Sequence, residues 1–535
     1  MRTTLIPGLL IVLAAAALGA NHKSNGPQFL TSDRCIACHN ELTTSKGQDV
    51  SIGFEWRASM MANSSRDPYW QGSVRRETID HPQASSHIED ECSVCHMPIP
   101  RYLATLQGKE GEIFSHLPFS KDKKHGQEAA DGVDCSVCHQ ISKEKLGTRE
   151  SFNGGFVVDP PDAKHSRPEY GPFSIEAGQA RIMRTSTKEY EPTENTDHIR
   201  KSEMCATCHT LITSAIGPDG QPAGSLPEQM PYQEWLHSDY KTKQTCQDCH
   251  MPTVDEPVPI TRVFSVPRDG MKRHTFVAAN FFMQRLLNRY RNDLDVAALP
   301  QELSTAADAT VAFLADKSAR LTLEGVQITG RRLQADVIVE NLGGHKLPTA
   351  YPSRRAWLHF IVRDRNDRVV FESGALRPDG SIAGNDNDAD AQRFEPHYAE
   401  INNAAQVQIY EDIMGDSKGQ VTTGLLQATA YLKDNRLLPR GFDKRTADRE
   451  IAVVGGALED PNFTEGGDRI RYSVDLGPAE GPLRIEAELW YQPIGFRWAN
   501  NLKNYTAAEP RRFNAFYDSM TNATAVILAR AAVTR

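Results

Sequence analysis

Five copies of Cys-x-x-Cys-His consume every cysteine of this 535-residue chain: Cys35/Cys38/His39, Cys92/Cys95/His96, Cys135/Cys138/His139, Cys205/Cys208/His209 and Cys246/Cys249/His250. The spacing reads as c-type haem attachment, in which both thiols bond the porphyrin and the adjacent imidazole binds its iron. The rival chemistries fit less well. A zinc site needs no histidine after every second cysteine, a disulfide framework does not place all its cysteines at a gap of three, and a redox dithiol needs one pair. Five covalent haem c groups are therefore expected, with His39, His96, His139, His209 and His250 as proximal iron ligands.

Such a chain has to fold around its cofactors. Successive first cysteines lie 57, 43, 70 and 41 residues apart, too irregular for a stacked array of repeats. Residues 35–250 are too few to wrap five porphyrins in separate apolar cores, so the macrocycles are expected to pack on one another. Without haem this half is expected to be largely unfolded. Stretches such as 158–162 and 214–220 carry Pro, Gly and Asp and read as loops, with short helices confined to the haem motifs.

Residues 1–20 carry Arg2, an apolar run from Leu9 to Leu18, and small Gly19 and Ala20, the layout of a cleaved secretory signal. The run is short for a bilayer span, and no later stretch approaches spanning length, so the protein is expected in the periplasm or outside the cell and not integral to the membrane. No cysteine lies near the cleavage region to carry a lipid. With 60 basic against 69 acidic side chains the net charge is −9, which gives no reason to bind nucleic acid.

The pattern changes after residue 273. Val277, Phe281, Phe282, Leu286, Leu287 and Tyr290 recur at helical spacing, as do Ala307, Val311, Leu314 and Ala315, with Pro300 between the two runs. From residue 320 the period becomes two, in Leu333/Ala335/Val337/Val339, Leu358–Val362, Val369–Phe371, Ile470/Tyr472/Val474/Leu476 and Leu483/Ile485/Ala487/Leu489. Turns are expected at 365–368 and 378–380. The fold class that follows is α+β multidomain: a signal at 1–20, a loop-rich, mainly helical multihaem domain over 21–273, a helical connector over 274–319, and an immunoglobulin-like β-sandwich over 320–535. The acidic run 386–390 begins like a calcium loop but has Ala391 and His397 at its sixth and twelfth places, so a solvated loop is expected.

What fills the second axial position of each iron decides between electron transfer and catalysis. Twelve histidines lie outside the motifs. Of these, His274 follows the last motif and is expected to open the first connector helix, His198 precedes Cys205 by seven residues, and His345 sits after two glycines in a loop that admits close approach. These three are the first candidates, followed by His125 and His87; His116 and His237 also lie near motifs. Met60 or Met61 could serve one iron through sulfur, although core packing is the commoner fate of methionine.

Several short pieces resemble one group of exported proteins. Trp56–Asn63, Cys92–Pro98, Asp131–Cys135, Cys246–Pro252 and His274–Phe276 are similar to the multihaem cytochromes grouped with the cytochrome c-554-like domain, over residues 35 to about 290. Asn341–Thr349 resembles the β-domain signature attached to some members. The resemblance implies electron transfer by low-spin, mostly bis-histidine haems, between a redox donor and an acceptor protein. Pentahaem nitrite reductases replace one attachment histidine with lysine, and this chain keeps histidine in every motif. Two other readings stay open: an oxidoreductase acting on a small nitrogen or sulfur compound at one open haem, and a filament in which a histidine of one copy ligates a haem of the next.

Overall fold

The computed structural model describes residues 29–160, 166–187, 190–217 and 220–535. The expected signal at 1–20, together with His22 and His165, lies outside them. The first half is built of short helices joined by loops. Its longest helical pieces here are Pro68–Asp80, opened by Asp67, whose carboxylate accepts from the Tyr69 and Trp70 amides, and Ser85–His96, which carries the second motif. Not all the rest is loop. Leu211–Ile216 pairs antiparallel with Pro222–Gln229, so the stretch read as a loop at 214–220 is partly strand.

The connector holds two helices, Phe281–Arg289 and Pro300–Lys317. The first begins seven residues later than His274, which stands in an irregular segment outside helix and strand, and Pro300 is the first residue of the second helix rather than only a break. Phe281, Phe282, Leu286 and Leu287 are fully buried, as their spacing requires.

The second half contains two main sheets. One runs Val369–Ser373, Arg355–Arg363, Arg484–Gln492, Val526–Thr534, with Ile409–Tyr410 also on the Arg355–Arg363 strand. The other runs Glu400–Ile401, Gly467–Asp475, Arg332–Asn341, Ala319–Thr329; its pairs are antiparallel except the short parallel one at Glu400. Alternate residues Leu333, Ala335, Val337, Val339, Leu358, Phe360, Val362, Ile485, Ala487 and Leu489 enter one hydrophobic core that also takes Phe281 and Leu286 from the connector and Tyr69 and Met230 from the first half. The acidic run is not a solvated loop. Asp386–Ala389 is a helical turn, and Asp388 is buried against Arg355 at 2.7 Å, an ion pair across 33 residues of sequence.

Cores in the first half are small. Three clusters, around Trp70/Val74/Ile88, Phe29/Val133/Val137 and Leu42/Val50/Val258, each hold five to seven buried apolar residues. They border the haem motifs, with Cys92 and Cys138 among the side chains packed against them.

Candidate haem-binding centres

Three of the motifs lie within helix, in Ser85–His96, Cys135–Gln140 and Cys246–His250. Residues i, i+3 and i+4 of a helix share a face, so in these three both thiols and the imidazole point the same way. The turns are pinned by caps. Asp134 accepts from the Val137 amide at 2.8 Å, and Thr245 with Asp248 forms a reciprocal capping box.

The expectation of short helices confined to the haem motifs needs correcting: Ile52–Arg57, Pro68–Asp80, Pro98–Thr105 and Ala177–Thr187 are helices outside the motifs, and two of the motifs are only partly helical. The helix of the first motif, Asp33–Ile36, ends before Cys38, and that of the fourth, Ser202–Ala206, ends before Cys208. Both cysteines stand in the turn that follows. The turn keeps part of the helical bonding: the Cys38 amide donates to the Cys35 carbonyl at 3.1 Å and the His39 amide to the same oxygen at 3.0 Å. The carbonyl of Cys38 is taken from outside the segment, by the Arg262 amide at 3.0 Å, which draws the chain out of the helical path. All ten cysteines, Cys38 and Cys249 included, are half-buried free thiols, so the structure holds no disulfide among them.

Four proximal histidines are oriented alike. Nδ1 of His39 meets the Ile260 carbonyl at 2.6 Å, His96 that of Ser64 at 3.0 Å, His139 that of Tyr170 at 2.7 Å and His250 that of Val277 at 2.6 Å. A carbonyl fixes the proton on Nδ1 and leaves Nε2 as the free lone pair, the arrangement a metal-binding imidazole needs. Burial lowers the pKa of all four, to about 4 for His96 and His250, which keeps them in the neutral, ligating form.

The motifs converge in an order the sequence does not follow. Thiols of different motifs lie near one another: Cys35 and Cys135, Cys95 and Cys208, Cys205 and Cys246. His139 adds its charge to the environment of His39, and His209 to those of both His96 and His250. The fourth motif therefore touches the second and the fifth, while the first lies against the third.

Among the remaining histidines, His345 meets the most conditions. Its ring is parallel to that of His250, at 7° and 6.3 Å between centroids, and its own Nδ1 meets the Lys346 carbonyl at 2.9 Å. Two metal–nitrogen bonds of about 2 Å fit a gap of that size. The preceding Gly344 is needed because a Cβ there would stand 3.1 Å from Tyr240, whose hydroxyl donates to the Leu342 carbonyl. Behind the loop, fully buried Lys346 pairs with Asp434 at 2.7 Å, and Arg436 joins Asp434, Asp412 and Glu234 of the first half. This buried ionic cluster fixes the His345 loop against the segment carrying Glu234, which also accepts from the Lys346 amide and the Thr349 hydroxyl.

His274 is half-buried, its Nδ1 on the Lys272 carbonyl at 3.0 Å, and desolvation followed by the neighbouring His139 takes its pKa to about 3, with His39 adding to the effect. It thus stands beside the first and third motifs. The Nε2 atoms of His125 and His81 are buried without partners. Sequence reasoning misses His81; its one signal there is its place before Pro82, where a helix must end.

Two expected ligands are placed otherwise. His87 is 57% exposed and pairs with Glu91 one turn along its own helix at 3.3 Å, facing away from the core. His198 ties Nε2 rather than Nδ1 to a carbonyl, that of Ile141 at 2.8 Å, which leaves Nδ1 as its free nitrogen, and it stands edge-on to Tyr170, the residue whose carbonyl holds His139. His237 is held by the Gln233 carbonyl and Asp448. The pKa of His116 is lowered chiefly by burial. Met60 and Met61 are half-buried and pack on the cores.

A separate trio, His397, Asp460 and Asp468, is compact enough for a metal ion. Its protons argue otherwise. Nδ1 of His397 receives the amide groups of Gln408 at 2.9 Å and Asn435 at 3.1 Å, and both amides are held in that sense because their oxygens accept from the Tyr398 and Glu411 amides. Nε2 therefore carries hydrogen and donates to Asp460 at 3.2 Å.

The donor set fits covalently tethered haem: paired thiols, an aligned imidazole with Nε2 free, and at one centre a second imidazole at iron-spanning distance. The architecture is a multihaem cytochrome c fold. The chain is similar in structure to the penta-heme cytochrome c552 from Thermochromatium tepidum, with a TM-score of 0.52 and 14% identity, over 95% of this chain and 99% of that one. No family model and no curated protein matches the sequence. Among the described residues, no helix is long and apolar enough to cross a membrane.

Proposed function

We propose that this protein is an exported pentahaem c-type cytochrome that carries electrons between a reduced donor protein and an acceptor. The observation that carries the reading is the His250–His345 pair: two parallel imidazoles, each with Nδ1 tied to a carbonyl, whose free nitrogens would hold one iron between them. Haem supplies the reversible one-electron chemistry; the chain supplies ligands, burial and spacing. Proximity of motifs one and three, two and four, and four and five, together with that of Cys138 in the third motif to Cys205 and Cys208 in the fourth, supports a continuous route through the molecule. His274 is assigned to the first or third centre, and His125 or His81 to the second, whose apolar cluster includes Ala129 beside His125. The two-sheet half, read as an immunoglobulin-like sandwich, supplies His345 and serves as a positioning and docking module. The segment 1–20 is read as the export signal.

Electron paramagnetic resonance of the oxidised protein tests this reading. Low-spin signals accounting for most of the iron are expected; a spectrum dominated by high-spin iron would refute the carrier assignment.

A further inference from the structure

The attachment imidazole of the second motif is held from two directions. The bond between its Nδ1 and the Ser64 carbonyl, at 3.0 Å, acts on the edge of the ring. Across one face lies the indole of Trp70, its centroid 4.4 Å away and its plane turned by only 3°. This stack sets the second centre apart. Among the described residues no phenyl, phenol or indole ring lies flat on any of the other four attachment imidazoles; the ring of Phe313 stands 6.0 Å from that of His250 and is tilted by 50°.

One helix governs both restraints. Trp70 is buried on Pro68–Asp80, in the apolar cluster with Val74, Ile88 and Met97. The next residue, Gln71, donates from Nε2 to the Ser65 carbonyl at 2.7 Å, which anchors the segment whose Ser64 carbonyl takes His96. The helix is itself clamped to the second half of the chain. Gly72 packs on Pro510, where a Cβ would stand 3.3 Å from the proline Cα, Arg75 pairs with Glu509 at 2.9 Å, and Arg76 donates to the Thr423 carbonyl at 2.8 Å. The His96 ring can turn about a bond at Nε2 only by giving up the stack, the carbonyl or both. The face of an indole is its electron-rich side and attracts a positive partner. An imidazole on ferric iron carries more positive charge than the same ring on ferrous iron, so the stack favours the oxidised state.

We propose that Trp70 is a positioning residue of the second haem centre, which fixes the plane of the His96 imidazole and holds the midpoint potential of that haem below the value the same ligands would give without the indole. The proposal rests on the haem reading above and adds which side chain tunes one of the five centres. Trp70 neither ligates iron nor carries charge; it acts through His96.

The test compares full holoproteins, wild type against Trp70→Leu and Trp70→Phe, by optical potentiometric titration and by paramagnetic resonance of the oxidised form. In the leucine variant one of the five potentials is expected to move positive, so that at a fixed applied potential the reduced-to-oxidised ratio of that haem rises roughly threefold. One low-spin signal is expected to change its g values while the rest stay, because those values follow the orientation of the axial imidazole planes. Phenylalanine keeps a ring face with a weaker quadrupole and is expected to fall between leucine and wild type. Five unchanged potentials in a fully haem-loaded leucine variant, a negative shift, or a uniform shift of all five overturns the proposal. Should the leucine variant fail to load haem, the phenylalanine variant decides by the same readings. Absence of bound haem from the wild type in a pyridine haemochrome assay is a different result, which removes the haem reading itself.

Discussion

At the residue scale the account turns on which nitrogen each histidine has free. His345 is legible because Gly343-Gly344-His345-Lys346 announces a tight approach, and the approach is real, although what comes close to Gly344 is Tyr240. His87 misleads despite a visible signal, since Glu91 lies one turn along the same helix and offers the exposed partner it takes. His198 is turned for a reason the sequence hides: the carbonyl that takes its Nε2, and leaves Nδ1 as the free nitrogen, belongs to Ile141, 57 residues away. Buried His81 escapes notice because burial is a tertiary property. Replacing a ligand tests this scale. His345→Met should keep one haem low-spin while raising its midpoint potential relative to wild type, because thioether ligation favours the reduced iron. Potentiometric titrations that superimpose for mutant and wild type would remove His345 from the iron.

At the element scale, period-two patterning locates the strands well, because a half-buried strand has to alternate. Arg332–Asn341, Arg355–Arg363 and Arg484–Gln492 all contain the predicted alternations. Boundaries set by capping or distant partners are less visible. The connector helix starts at Phe281 instead of near His274, the first motif's helix stops short of Cys38, whose carbonyl goes to the distant Arg262 amide, and the acidic run becomes a buried turn because Arg355 claims Asp388. His359 shows what joins the strands. It bridges Glu372 at 2.9 Å and Glu488 at 3.2 Å on the two neighbouring strands. Burial alone would lower its pKa, but the bonds to Glu488 and Glu372 outweigh that and raise it. A histidine raised on folding contributes stability that is complete below its unfolded pKa of about 6.5 and fades as pH rises through the folded value. His359→Gln should therefore cost about 1 kcal/mol at pH 6 and clearly less at pH 9, by urea unfolding at the two pH values. An equal loss at both would show that the bridge is not charge-dependent.

At the scale of the whole molecule, the chain divides its folding between two kinds of interior. The sheets and connector share one extended apolar core, while the cysteine-bearing half has only small clusters bordering the motifs. That contrast follows from composition and spacing, and it is readable in the sequence. The interlock between the halves is not. Glu234 meeting Arg436, Tyr240 meeting Leu342 and His250 facing His345 each join residues about 100 or more positions apart. The proposed reading makes covalent haem the interior of the sparse half, so counting it is the direct test. A pyridine haemochrome assay combined with intact-mass measurement of the matured chain should give five haems per polypeptide and no alkylatable thiol. Fewer than five, or thiols that remain free, would contradict the account.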